Sequence, residues 1–477
     1  MTYLMTAPAN QHSNPMRPPS NLAARDIETL IHPYTNLDAF RASGPLVLER
    51  GEGVFVYDKH GKPYIDGMAG LWCTALGHGN AELVEAAARQ MGKLAFAHLF
   101  SGKSHDPAIE LAEKLKEIAP VETSKIFFCN SGSEANDSQI KLVWYMNNAL
   151  GRPRKKKIIS RLNAYHGVTI AAASLTGLPN NQLDFDLPIA GILHAGCPHH
   201  YRFAHAGESE EDFATRLAGE LEALIVREGP DTVAGFIAEP VMGAGGVIVP
   251  PATYFEKIMG VCGRYDVYMI SDEIICGFGR LGTMFGCQSF GFRPHSISVA
   301  KALTSAYVPM AAVTVPQAMY EAMLEESRKI GTFGHGFTYS GHPVAAAVAL
   351  KTIEIYARER IVDQAARKAP HFAARLAALG QHPLVGEARG LGLVGGIELV
   401  AEKASKRLFA ARAGIGARAV AFAEEEGAIL RSIVGNVVSI CPPLIISTDE
   451  IDQLFDGLAR ALDRTLDWAK REQAFDP

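Results

Sequence analysis

Through the middle of the chain, short apolar runs alternate with longer stretches of three- and four-residue periodicity. The runs KIFFC (125–129), KIIS (157–160), VAGFIA (233–238), VYMI (267–270) and SISVA (296–300) each stop at polar residues or glycine. Between them lie amphipathic segments such as Glu211 to Arg227 and Tyr254 to Tyr265. Strands that are apolar on both faces and separated by helices predict βα units around a mainly parallel sheet.

The two ends of the chain follow another pattern. Leu46 to Leu71, with turn signals at Gly51 to Gly53 and Lys59 to Gly61, reads as β hairpins. Past Gly341 a long helical stretch, HPVAAAVALKTIEIYARE, leads into short strands and helices ending in Leu454 to Trp468. The expected division is a polar, proline-containing arm (1–24), a first part of a smaller α+β domain (25–74), a large α/β domain (75–341) and the rest of the smaller domain (342–477).

Composition narrows the function classes. The chain has 477 residues, 48% hydrophobic and 20% charged, with a net charge of −5, the balance of a soluble protein able to bury a large core. Its basic residues are dispersed, so there is no electrostatic case for nucleic acid or an anionic membrane. The cluster Arg154 to Lys157 reads as a solvated loop before a strand. No window approaches the ~20 apolar residues of a membrane span, and residues 1–24 lack the apolar segment of a secretory signal, so the expectation is a cytoplasmic protein. Seven scattered cysteines without a CxxC pair indicate reduced thiols, with neither a disulfide framework nor a metal site.

In an open α/β sheet, ligands gather at the carboxyl ends of the strands. Those ends carry Asn130-Ser131-Gly132-Ser133-Glu134, Tyr165-His166-Gly167, Glu239-Pro240, Asp272-Glu273 and Lys301. Ser131-Gly132-Ser133 precedes a helix with apolar residues Ile140, Val143, Met146 and Leu150. That helix start suits a phosphate, and equally a serine N-cap without ligand. Lys301 lies in the apolar stretch SVAKALTSAYVPM, where an ammonium is costly unless it snorkels to solvent or is used as an amine for Schiff-base formation.

Taken together, HPYTN, GMAGLWC, NSGSEAND, AYHGVT, AEPVMGAGGV, SDEIICGFGR, AKALTS, HGFTYSGHPVAAA and VSICPP resemble the class III pyridoxal-phosphate aminotransferases of fold type I. The resemblance is closest to the omega-transaminases, or amine–pyruvate aminotransferases, and runs from Pro33 to Leu462. It implies a large domain with a mainly parallel seven-stranded sheet, a smaller α+β domain, and a homodimer with shared active sites, which could pair into a tetramer. It also implies pyridoxal phosphate bound as a Schiff base on Lys301, Asp272 paired with the pyridinium nitrogen, and Tyr165 and Ile274 on the two ring faces. Glu239 and His166 would lie close to the cofactor, and Ser131, Gly132 and Ser133 at its phosphate, joined by Thr338 of the partner. Substrate would meet Trp72, Tyr165, Phe100 from across the dimer and a mobile Arg431; without the resemblance Trp72, Phe100 and Arg431 read as core aromatics and a surface cation. Glu273 would be a structural neighbour.

This sequence departs from the usual pattern at Ala302, Ile274 and Leu281, none of which removes chemistry. The implied reaction has two halves: an amine, a diamine or an ω-amino acid gives up its amino group, and a keto acid, above all pyruvate, receives it. The rivals are a 2-oxoglutarate-dependent 4-aminobutyrate or ornithine aminotransferase, an aminomutase or decarboxylase, and a non-catalytic oligomeric scaffold. A nicotinamide-dependent dehydrogenase would rest on GLGLVG (390–395), but those glycines run into strand-like residues where a dinucleotide site needs a helix.

Overall fold

The computed structural model describes residues 21–475. The expected arm falls outside them except for its last four residues, which open a helix, Asn21–Thr29. Strands β1 (Leu48–Glu52), β2 (Phe55–Asp58) and β3 (Pro63–Asp66) form an antiparallel meander. The hairpin reading runs too far, because the strands end at Asp66. Its carboxylate accepts the backbone N–H of Gly70 at 2.6 Å and of Met68 at 3.3 Å, bending the chain into the helical turn Ala69–Trp72.

The central layer is a seven-stranded sheet of β4 (Lys125–Cys129), β5 (Lys157–Arg161), β6 (Ile192–Ala195), β7 (Val233–Ala238), β8 (Tyr268–Asp272), β9 (Ser296–Val299) and β10 (Ala311–Val315). Its order is β4-β10-β9-β8-β7-β5-β6, and β10 alone runs antiparallel to its neighbours. Every residue of β7, β8, β9 and β10 is buried, which is why those strands read as unbroken apolar or small-residue runs. The short β6 and the small-residue β10 are the two strands that the five sequence runs do not include.

The C-terminal part supplies β11 (Val385–Leu391), β12 (Val394–Leu399), β13 (Ala428–Ile429), β14 (Arg431–Ile433) and β15 (Val437–Ile440). Strand β13 pairs in parallel with β3, so the two chain ends share one sheet, while β11, β12, β15 and β14 form another. The glycines of GLGLVG make the β11–β12 hairpin. Gly392 has φ +64, and a Cβ there would meet the Arg280 carbonyl at 2.4 Å, so its task is a tight turn against a buried arginine.

Where the C-terminal strands meet the large sheet's loops lies a buried charge cluster. Arg389 on β11 bonds Glu387 and Glu398, and its other nitrogens donate to the Gly246 carbonyl at 2.9 and 2.6 Å. Arg202 also bonds Glu398, and His199 Nε2 lies 2.8 Å from Glu387. The ligand atoms of His199, Glu387 and Glu398 lie within 4.8 Å of one another, as in a cation site. Two guanidinium groups already fill that role, so the cluster closes as ion pairs.

Candidate active site

A cavity of about 130 Å³ opens at the carboxyl ends of the large sheet, lined by Gly132, Ser133, Tyr165, His166, Glu239, Asp272, Ile274 and Lys301 among others. Residues separated by up to 169 positions meet because β4, β5, β7, β8 and β9 all deliver their ends to this edge.

The helix Gly132–Ala149 starts at the cavity. Ser131 lies outside the lining: its hydroxyl oxygen is the N-cap, accepting the Glu134 N–H at 3.2 Å. Gly132 and Ser133, the first two helical residues, face the cavity, with the Ser133 hydroxyl oxygen accepting the Val168 N–H at 3.1 Å. Gly132 has no room for a side chain, since a Cβ would meet Ile274 Cδ1 at 2.7 Å. The free N–H groups of an 18-residue helix aimed into this cradle suit a phosphate.

Asp272 closes β8 and is 3% exposed. Its Oδ2 accepts Asn136 Nδ2 at 2.7 Å and stands 2.8 Å from His166 Nδ1, and its Oδ1 accepts the Ile274 N–H at 3.1 Å. His166 therefore braces the aspartate with one ring edge. Glu273, one residue on, points to the opposite side of the strand, where it accepts Gly286 N–H, Cys287 N–H and the Ser271 hydroxyl. Burial raises the Glu273 pKa in spite of those donors. Adjacent carboxylates thus have separate tasks because successive residues of a strand face opposite ways.

Glu239, at the end of β7, accepts the Tyr165 N–H at 2.9 Å and the Gly243 N–H at 3.0 Å, and its pKa too is raised by burial. Lys301 begins the turn after β9 with a left-handed backbone, φ +50. Among the described residues its amine makes no hydrogen bond or ion pair. Burial lowers its pKa, while Asp272 pulls the other way.

Besides Ser131, four expected residues do not line the cavity of this chain. Trp72 is 3% exposed and packs in an apolar cluster with Met68, Ile275 and Cys441, immediately behind the wall. Phe100 is 48% exposed and Thr338 is also exposed, both on a surface where the Phe100 ring comes within 3.4 Å of a Cβ built on Gly336. Arg431 opens β14 with its guanidinium 5.4 Å over the ring of Tyr34, and Tyr34 meets Tyr165 edge-on at 6.5 Å.

Sequence reasoning assigned no role to Asn136 or Tyr34. Asn136 shares the buried stripe Asn136, Ile140, Val143 and Asn147 of its helix, and a polar residue at an apolar spacing was the available signal. Tyr34 carried none.

The family Aminotransferase class-III matches residues 39–462 of the chain. A tomato (Solanum lycopersicum) protein named gamma aminobutyrate transaminase 3, chloroplastic, is 51% identical over 88% of this chain and 81% of its own length. An omega transaminase from Pseudomonas jessenii in complex with PMP superposes with a TM-score of 0.92 at 55% identity, covering 94% of this chain and 99% of that one. A transaminase with L-alanine superposes at 0.87 with 54% identity, over 88% and 99%.

Proposed function

The chain belongs to the class III aminotransferases, a pyridoxal-phosphate-dependent family, and on that premise we propose that it passes the amino group of a primary amine, a diamine or an ω-amino acid to pyruvate, giving alanine. The observation that carries the catalytic reading is Lys301: a half-buried amine without a bonded partner, in a cavity that also holds Asp272 and the head of a long helix.

The residues present fit the cofactor. Gly132 and Ser133 would hold its phosphate through the helix N-terminus, Tyr165 and Ile274 would flank the ring, and Glu239 would lie on its hydroxyl side. When bound, pyridoxal phosphate supplies the electron sink for the pair released as the donor's C–H bond breaks. Asp272, fixed by Asn136 and His166, would pair with the ring nitrogen and hold a proton there. Lys301 Nζ is the general base that takes the proton from the donor carbon; the lowering of its pKa by burial favours the neutral amine that this needs.

Pyruvate is supported by the similar transaminase with L-alanine. A second reading, a 4-aminobutyrate aminotransferase, is favoured by the name of the tomato relative. Crossing aryl amines, diamines, β-alanine and 4-aminobutyrate with pyruvate and 2-oxoglutarate decides between them. We expect turnover of several donors with pyruvate and little with 2-oxoglutarate; turnover confined to 2-oxoglutarate overturns the acceptor.

A homodimer with shared sites is supported by the exposed apolar face that holds Phe96, Phe100 and Tyr339, with Phe96 and Tyr339 rings 5.7 Å apart. In that assembly Thr338 and Phe100 would serve the partner's cavity. Among the described residues no helix is long and apolar enough to cross a membrane. The seven free cysteines suit a reducing compartment, which we take to be the cytoplasm.

A further inference from the structure

We propose that Tyr34 is a positioning residue that docks Arg431 outside the substrate cavity, so that the balance between carboxylate-bearing and carboxylate-free substrates is set by the ring of Tyr34. The inference rests on the proposed transamination and on the reading, implied by the family resemblance, that the mobile Arg431 receives the substrate carboxylate.

Arg431 lies outside the lining of a cavity that, on the proposed function, must admit both an amine without a carboxylate and a keto acid with one. Among the described residues its guanidinium has neither an ion pair nor a hydrogen bond, and its contact is the face of Tyr34 at 5.4 Å. A guanidinium over an aromatic face is held by the ring's quadrupole without its hydrogen-bonding edges being used up. Those edges stay free for a carboxylate, which a salt bridge would have occupied. The hold is therefore weak enough for a bidentate carboxylate to outcompete and strong enough to keep the cation out of the pocket when the ligand is apolar.

Tyr34 is fixed as a dock from the other side. Its hydroxyl oxygen accepts Asn181 Nδ2 at 2.6 Å, its ring meets Tyr165 edge-on, and its backbone is held left-handed at φ +52. The ring is 59% exposed, so core packing does not account for its placement. Asn181 lies in the helical turn Pro179–Asn181, so the dock is anchored on the large domain while Arg431 belongs to β14 of the C-terminal part.

The test is single-turnover kinetics of the two half-reactions in Tyr34→Leu, Tyr34→Phe and Arg431→Ala, and in the Arg431→Ala/Tyr34→Leu pair. Without its dock, Arg431 shifts towards the cavity. Tyr34→Leu is then expected to weaken binding of an aryl amine by about three- to tenfold, as loss of a cation–π contact would, while pyruvate binding holds or tightens. Tyr34→Phe keeps the ring and should restore the wild-type ratio of the two half-reactions. In the Arg431→Ala background Tyr34→Leu should leave that ratio unmoved. Dissociation constants of an unreactive aryl alcohol and of a simple carboxylate, measured by calorimetry, should diverge in the same directions. Equal losses in both half-reactions, or a Tyr34→Phe as impaired as Tyr34→Leu, overturn the dock in favour of a structural role. If Arg431→Ala leaves the pyruvate half-reaction intact, the carboxylate anchor itself falls; if it slows that half-reaction while Tyr34→Leu shifts nothing, the dock alone falls.

Discussion

Two buried charge clusters in this protein follow opposite rules. At the junction of the C-terminal strands with the large sheet, Glu387 and Glu398 meet the guanidinium groups of Arg389 and Arg202, and His199 completes the set. In the cofactor cavity the acids Asp272 and Glu239 are held by neutral donors, from Asn136 and the backbone of Ile274, Tyr165 and Gly243, with His166 bracing Asp272. The amine beside them is bonded to nothing among the described residues. The first cluster has used its charge up in structure, and the second keeps charge available for a reacting molecule. Buried charge alone therefore does not mark an active site, and neither does a missing counter-ion, since Glu273 is also held by neutral donors alone; the mark is an unbonded amine beside such acids in a cavity.

The contrast breaks most visibly at Lys301. Lys301→Ala should lose on the order of 10⁴-fold or more in turnover, at the upper end for a general base, while its melting temperature stays close to that of wild type. A melting temperature that fell with the activity would make Lys301 a structural residue. Arg389→Met should do the reverse. Removing one partner of a buried pair costs about 3 to 5 kcal/mol, read as a shift of the urea midpoint, while the turnover of the folded fraction stays near normal.

Asp272→Asn comes next. Loss of the charge facing the ring nitrogen should slow turnover by about 10²- to 10³-fold, the scale of a lost preorganised electrostatic contact, with cofactor still retained; near-normal rates would remove Asp272 from its role. The smallest effect is a difference in sign with pH. Burial raises the Glu387 pKa, but His199 and Arg389 outweigh it and leave it lowered, whereas burial leaves that of Glu239 raised. Glu387 thus adds stability above the ordinary glutamate range, lost as pH falls through its lowered pKa. For Glu239 the contribution is present at low pH and lost as pH rises through its raised pKa. Denaturant titrations of Glu387→Gln and Glu239→Gln should show the first variant falling further behind wild type as pH rises from 4 and the second gaining on it. Parallel curves would erase the distinction.

Much of this was legible before any coordinates. Strands buried on both faces write their extent as apolar runs, so β5, β7, β8 and β9 could be read, and the partly exposed edge strand β4 still carries the apolar run KIFFC, whereas β6 is short and β10 is largely small residues. Lys301 stood out because an ion inside an apolar run has few structural explanations, whereas Asp272, at a strand end where polar residues are ordinary, took its role from the family resemblance. Asn136 and Tyr34 did not, because their meaning lies in partners 136 and 397 positions away. Ser131 stayed ambiguous for a local reason, since capping a helix and binding a phosphate ask for the same residue.

The reversal of β10 has a mechanical consequence. Because β9 and β10 are antiparallel neighbours, the chain between them does not cross the sheet but turns back on the cavity edge, and Lys301 sits on that return. The return is bolted to the N-terminal segment: the Ser305 hydroxyl oxygen accepts the Leu76 N–H at 2.9 Å, and the Tyr307 hydroxyl oxygen accepts the Asn80 N–H at 2.6 Å. The reacting amine therefore rides on a truss fixed at both ends, and travels with residues 76–80 if that layer shifts. An engineer enlarging the pocket has freedom at its rim, around Arg431, and almost none beneath the lysine.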